Sequence, residues 1–303
     1  MGAFSYVEEF LHHERAAGKA AATLRNRRRA LGALAKWLEG QGRSEKEATS
    51  SDLVAFVNTL VGRLTPEHVN QVVSAIRVYF RWLCEEGLRN GDGSPAARLK
   101  FQRVPMQPVE SLNEAECRKL IRWASTQAPR GRFGVHRTGT LALLLLDTGL
   151  RIGEALRLRL ADFDFGEGKI LVRQTKTGDF RVVPVSPLLR KHLRRYLQRR
   201  EERLGKLGRV SEVAFLSESG EACSVSVAEH SFLRIGEAAG IRRIHPHLLR
   251  HTFATQSLLN GAPLPAVMRL GGWRKLTTVQ RYTYMNDAVA AEVHSRTSPL
   301  ARV

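Results

Sequence analysis

The sequence is short of cysteine: Cys84, Cys117 and Cys223 are the only three in 303 residues, far apart and odd in number. They make neither a disulfide framework nor a C-x-x-C metal pair, which excludes a disulfide-stapled secreted fold and points to a reducing, cytoplasmic setting. Long apolar runs are also missing. The longest, Leu141 to Leu146, is far too short to span a bilayer. The first segment carries Glu8, Glu9 and Glu14, so a secretory leader is not expected. Acidic residues are the minority, 29 against 48 Lys and Arg, which leaves a formal charge of +19. Such an excess is the electrostatic footprint of a nucleic-acid binder, with a merely basic soluble protein as the plain alternative. Hydrophobic residues make up 43% of the chain, enough to build real cores, so a disordered polycation is excluded.

The length suits two domains. Residues 1–100 read as a helical domain. Phe4, Val7, Phe10 and Leu11 recur at helical spacing, as do Leu24, Leu31, Leu34, Trp37 and Leu38. A third helix is expected after Ser51-Asp52. Thr65-Pro66-Glu67 starts a fourth, which stops at Gly87. The turn cluster Asn90 to Pro95 and the proline-bearing stretch from Phe101 to Glu110 break the periodicity, so a linker is placed at 101–110. Ser111-Leu112-Asn113-Glu114 reads as a capping box that opens a second domain, 111–303. There a helix over about 138–147 breaks at Thr148-Gly149. The runs Phe163/Phe165, Ile170/Val172 and Val182/Val183/Val185 predict a small antiparallel sheet, and helices follow Pro187. No internal repeat is present. Residues 1–105 carry a net +5 and the remainder +14, so the second domain should grip phosphates harder. Arg25, Arg27, Arg28 and Arg29 form a candidate DNA-facing patch. The nine Lys and Arg between Arg190 and Arg209 read as a solvated helix face.

Three segments carry chemistry. In Pro246-His247-Leu248-Leu249-Arg250-His251, proline in the first turn of a helix puts His247, Arg250 and His251 on one face. A guanidinium grips two phosphate oxygens and an imidazole exchanges a proton near neutral pH. A solvated surface histidine is the plain alternative, and a zinc site from His245, His247 and His251 lacks a Cys or acidic partner at ligand spacing. In Thr148-Gly149-Leu150-Arg151, the break places Arg151 near a helix N-terminus, with Glu154 one turn on as a brace. Tyr282 stands nine residues after Trp273, with Tyr284 close behind; a tyrosine attacks phosphorus only if cations neutralise the phosphate and its proton is removed. Lys176, in the polar turn Lys176-Thr177-Gly178-Asp179, is either a solvated tip or a mobile proton donor to a leaving oxygen.

The ordered set T-G-L-R-x-x-E, a hairpin lysine, H-x-x-R-H, a G-W pair and a tyrosine nine residues later resembles the tyrosine recombinases of the phage integrase and Xer type. The resemblance runs over nearly the full chain. It implies a mainly α two-domain fold: an N-terminal helical, SAM-like core-binding domain and an α+β catalytic domain with a small antiparallel sheet, together a C-shaped DNA clamp. It implies that Arg151 and Arg250 hold the non-bridging oxygens of a scissile phosphate and that Tyr282 attacks to give a 3′-phosphotyrosyl link. Lys176 would protonate the departing 5′ oxygen. His247 would act as acid/base or phosphate donor, Trp273 would pack on the site and donate its indole N–H, and Glu154 and His251 would support. Tryptophan stands at 273 where many bacterial relatives carry histidine, and indole can only donate.

The same resemblance implies no cofactor and no metal. It implies double-stranded DNA with an inverted-repeat core site as partner, a tetramer of one chain or of two paralogues, and no membrane association. Segment 287–294 is expected to be a short helix that docks on a neighbouring protomer. Two other readings stand beside the recombinase: a catalytically silent DNA-binding regulator, and a DNA-relaxing enzyme of the type IB topoisomerase kind. No additional N-terminal arm-binding domain is expected, which leans toward Xer-like or mobile-element enzymes.

Overall fold

Two helix starts in the first hundred residues are fixed by threonine. Thr49 and Asp52 close a reciprocal capping box, Asp52 accepting the Thr49 N–H at 2.8 Å, and Thr65 caps a helix whose first residue is Pro66. The helices are α1 (Val7–Ala16), α2 (Ala21–Glu39), α3 (Ser50–Leu60) and α4 (Pro66–Glu85). The expected start of α3 after Ser51-Asp52 moves to Ser50, because the cap is Thr49 and Asp52 is its third-residue partner. The computed structural model describes residues 5–89, 93–105, 109–173, 180–279, 282, 294–295, 298 and 300. It divides into two compact units, Met1–Met106 and Gln107–Val303.

Inside the first unit Phe10, Leu31, Leu34, Leu53, Phe56, Val73, Ile76 and Phe80 are buried in one core. A polar strut crosses it. Glu45, 1% exposed, accepts from the Tyr79 hydroxyl and from the Ser5 N–H, and the Arg89 guanidinium donates to the carbonyls of Glu45, Lys46 and Ala48. A buried carboxylate held in this way fixes the loop between α2 and α3 without leaving a polar atom unmet.

The second unit is arranged around one buried helix. It contains α5 (Glu114–Thr126), α6 (Phe133–Thr148), α7 (Ile152–Ala155), β1 (Phe163–Asp164), β2 (Lys169–Arg173), β3 (Phe180–Pro184), α8 (Pro187–Leu207), α9 (Val225–Ala238), α10 (Pro246–Leu259), α11 (Leu264–Gly271) and α12 (Leu276–Val279). Helix α6 packs against α5, α8, α9 and α10, and Leu141, Leu143, Leu144 and Leu145 are all buried together with polar His136, Arg137 and Thr140, so it is enclosed on several sides at the centre of the unit. The strands form an antiparallel sheet in the order β1-β2-β3, with Ile170 opposite Val183 and Val172 opposite Arg181. Among the described residues no helix is long and apolar enough to cross a membrane.

Three expectations change here. The second unit's first helix is capped by Asn113, whose side chain accepts the Glu116 N–H at 2.9 Å, and not by Ser111. Helix α6 begins at Phe133 rather than near 138, because packing on four neighbours overrides the weak helix preference of Gly134 and Gly139. The basic run on α8 is not uniformly solvated: Arg200 is fully buried and donates to the Ser211 and Val213 carbonyls, and Arg199 donates to those of Pro129 and Gly131.

The core of this unit also holds a titrating group. His136 on α6 is 1% exposed, lies edge-on to Tyr196, and has no hydrogen-bond partner for either ring nitrogen among the described residues. Burial, assisted by the charges of Arg199 and Arg195, pushes it down to about 4. The unfolded chain therefore takes up this proton first as pH falls. The stability His136 contributes is complete above its ordinary value near 6.5 and is lost between there and about pH 4. Urea unfolding at pH 7 and at pH 4.5 should show the wild type weakened by up to about 3 kcal/mol more than a His136→Met variant, since each pKa unit is worth 1.36 kcal/mol. Equal losses in the two proteins would show that this ring does not carry the acid sensitivity.

Candidate active site

The site begins at the end of α6. Gly149 closes that helix with φ +63°, and a Cβ there would drive into the Phe253 ring, so the turn demands glycine twice over. Its carbonyl is aimed at α10 and accepts a hydrogen bond from the Arg250 guanidinium. Two residues on, Arg151 stands at the N-cap of α7. Its N–H donates to Glu154 Oε2 at 3.0 Å, its Nη1 to Glu154 Oε1 at 2.9 Å, and its Nη2 to the Gly272 carbonyl at 3.4 Å. The side chain remains 46% exposed, so this cation is oriented and still open to a ligand.

Helix α10 supplies the second cation. His245 caps it, its Nδ1 accepting the Leu248 N–H at 3.1 Å, and this use of the lone pair removes it from metal ligation. Leu248, Leu249 and Phe253 enter the core, while Arg250 is 4% exposed with its Cζ 3.9 Å from the Trp273 ring centroid. Arg250 Nη2 is buried and has no partner among the described residues. Burial first, and then the positive charge of Arg151, push this guanidinium down to about 10, which leaves it cationic through the neutral range. A buried donor with no acceptor is costly, and a group that meets it only when bound is the usual reason to keep one. His247 lies on the exposed rim of the same helix. Burial of its ring, with Arg250 and His245 nearby, holds it below the ordinary imidazole range and favours the neutral form.

Tyr282 is 7% exposed. Its hydroxyl is 2.6 Å from His251 Nδ1, and its ring meets the edge of Trp273 with centroids 5.6 Å apart. Trp273 thus lies between the buried guanidinium and the tyrosine. A cleft of about 780 Å³ opens beside it, lined by Arg151, Glu154, His247, Gly272, Trp273 and Lys275 among others. Four elements far apart in sequence therefore bring two guanidinium groups, two imidazoles, an indole and a phenol to one place. Positive charge that the fold holds in position, beside a hydroxyl that can attack, suits transfer at a phosphodiester. Among the described residues no group of three His, Cys, Asp or Glu side chains gathers to hold a metal.

Glu154 is the keystone of this arrangement, and its main partner escaped the motif reading. Arg181 on β3 is 8% exposed and donates to Glu154 Oε2 at 2.8 Å, to Oε1 at 3.4 Å and to the Leu270 carbonyl at 2.9 Å. Burial pushes the Glu154 carboxyl up, but hydrogen bonds from Arg181 and from the Arg151 N–H outweigh it and hold the group below the usual carboxylate range. Arg181 also fixes the turn before Trp273: Gly272 has φ +69°, and a Cβ there would sit 2.7 Å from Arg181 Nη1. The sequence does carry a signal, because Arg181 falls in phase with the inward-facing Val183 on β3. Arg181→Met should lower the unfolding free energy by about 3 kcal/mol, the cost of removing one partner from a buried pair, read as a shifted urea midpoint. An unshifted midpoint would show that Arg151 alone satisfies Glu154.

Lys176, Tyr284 and residues 287–293 of the expected helix at 287–294 lie outside the described residues. The four arginines of the proposed DNA-facing patch separate. Arg25 and Arg29 are exposed on α2, Arg28 pairs with Glu8 at 2.5 Å, and Arg27 turns inward to pair with Glu14 and lie over the Phe10 ring. The cation of Arg27 is thereby committed to the fold.

Residues 110–288 match the phage integrase family, and residues 7–87 match the phage integrase N-terminal SAM-like domain. Tyrosine recombinase XerC of Xanthomonas campestris pv. campestris is 31% identical over 302 residues, covering 98% of this chain and 89% of its own. Tyrosine recombinase XerD of Ralstonia nicotianae is 29% identical, covering 93% and 90%. Among solved structures, a XerH site-specific recombinase bound to palindromic difH substrate in a post-cleavage complex is similar with a TM-score of 0.77 over 95% of this chain and 83% of that one, at 20% identity, a likeness of fold.

Proposed function

The chain belongs to the phage integrase family and is a site-specific tyrosine recombinase, and from that premise we propose that the cluster around Trp273 breaks and rejoins DNA at a phosphodiester. Arg250 Nη2 and the open face of Arg151 take the non-bridging oxygens and neutralise the charge that grows on the pentacoordinate phosphorus. The Tyr282 hydroxyl attacks the phosphorus, the bond to the 5′ oxygen breaks, and a 3′-phosphotyrosyl link forms. Lys176 gives the departing 5′ oxygen its proton. His247 donates to the phosphate from the rim of the cleft, and Trp273 seats both the guanidinium and the phenol. Reversal, with a 5′-hydroxyl from another strand as the attacking group, joins DNA without an external energy source.

The observation that carries this reading is the buried Nη2 of Arg250, unpartnered among the described residues, beside a tyrosine hydroxyl already in contact with a base. The positive charge supports duplex DNA as the substrate. The proposal extends to domain roles: 1–100 binds the core site through Arg25 and Arg29, 101–110 links, and 111–303 catalyses. It also extends to an inverted-repeat site, to a tetramer on two DNA sites built of this chain alone or with a paralogue, and to action in the cytoplasm. A duplex nicked near the cleavage point traps the intermediate, because the short fragment diffuses away. The wild type should accumulate a denaturant-stable protein–DNA adduct. Binding with no adduct would favour a silent regulator, and adducts at many unrelated sequences a relaxing enzyme.

A further inference from the structure

Resting on that reading of Tyr282 as nucleophile, we propose that His251 is the general base that removes the tyrosine proton, while His247 serves the phosphate. The two histidines are one helical turn apart on α10, with ring centroids 6.2 Å apart and planes 29° from parallel. They nevertheless face different atoms. His247 lines the cleft where a phosphate would sit. His251, half-buried, has Nδ1 2.6 Å from the Tyr282 hydroxyl and its ring 5.5 Å from the phenol. A base must lie within hydrogen-bond reach of the proton it takes, and among the described side chains His251 holds that position.

The proton balance is complete. As the Tyr282 oxygen bonds to phosphorus, its proton passes to His251 Nδ1, which requires the tautomer with hydrogen on Nε2 at the outset. The bond to the 5′ oxygen breaks, and that oxygen takes a proton from a separate acid. On rejoining, the 5′-hydroxyl attacks the phosphotyrosine and gives its proton back to that same separate group, while the His251 imidazolium returns its proton to the leaving phenolate. His247 faces His251 from the same helix, Arg250 is the next residue back, and Trp273 stands behind the phenol, while Arg151 and Arg250 add positive charge to the site as a whole. Two histidines on adjacent turns therefore divide the work, one for the nucleophile and one for the phosphate, and a third group must serve the leaving oxygen.

The test uses the full chain, single-turnover cleavage of the nicked duplex, and a second duplex in which sulfur replaces the bridging 5′ oxygen. A thiolate leaves without protonation, so loss of the acid is masked on sulfur and loss of the base is not. His251→Gln should bind DNA like the wild type and cleave about 100-fold more slowly on both substrates, the lower range for a general base. Its pH–rate profile should also lose one inflection that the wild type shows. Restoration of His251→Gln on the sulfur substrate would make it the acid instead, and an unchanged rate on the oxygen substrate would make the 2.6 Å contact a packing feature. Adduct formation by Tyr282→Phe would overturn the assignment of the nucleophile itself, apart from anything His251 does.

Discussion

Tyr282→Phe should abolish the covalent adduct on nicked DNA while leaving DNA binding and folding intact. Phenylalanine keeps the ring against Trp273 and removes only the hydroxyl that meets His251, so the loss is chemical rather than structural. Its size should be that of a removed nucleophile, about 10⁶-fold in rate. Tyr284→Phe is the necessary companion. It lies two residues on, and the spacing from Trp273 assigns the attack to position 282. A denaturing gel with labelled DNA reads both. An adduct that survives Tyr282→Phe and disappears in Tyr284→Phe would move the nucleophile and undo the site as described.

Arg250→Met should separate activity from stability. The guanidinium is 4% exposed, stacked on Trp273 and only partly hydrogen-bonded, so the free protein bears the cost of burying a charge with an unmet donor. Removing it should leave the urea midpoint unchanged or higher, although the Gly149 carbonyl loses its partner. Cleavage should fall about 10³-fold, the scale seen when a preorganised donor to a developing anion is removed. Arg250→Lys should be nearly as inactive. An ammonium is a point charge that lacks the planar fork needed to hold the Gly149 carbonyl and a phosphate oxygen together. The contrast with Arg181→Met is the informative part, because that buried arginine is fully engaged and should cost stability. A large fall in the midpoint of Arg250→Met would show that Arg250 holds the fold together rather than waiting for phosphate.

Arg181 and Arg250 also show where reading the sequence stops. Both are arginines, both are buried, and both stand near Glu154 in space. Arg250 could be picked out because His247, Arg250 and His251 recur at one-turn spacing behind a proline, a local pattern. Arg181 could not, because its meaning depends on a carboxylate 27 residues earlier and on a turn at Leu270 to Gly272. The helix starts show the same division. Thr65-Pro66 is legible because the cap lies within one turn. The start of α6 is not, because its stability comes from four helices that pack on it. In the same way the basic run on α8 reads as a solvated face until the carbonyls of Ser211 and Val213 are seen to take Arg200.

By itself the sequence determined the family, the two-part helical plan with one small sheet, and the residue types of the site, since periodicity, caps and ordered motifs are all written along the chain. The tertiary structure decided which charges are open and which are committed: Arg27 to Glu14, Arg181 to Glu154, and Arg250 to Gly149 on one side, with its Nη2 unpartnered among the described residues. It also decided that the second histidine of α10, and not the first, meets the tyrosine. The physical reason is that a side chain's partners are set by distance in space, and residues 149, 154, 181, 251 and 282 become neighbours only when the turns at Gly149 and Gly272 close.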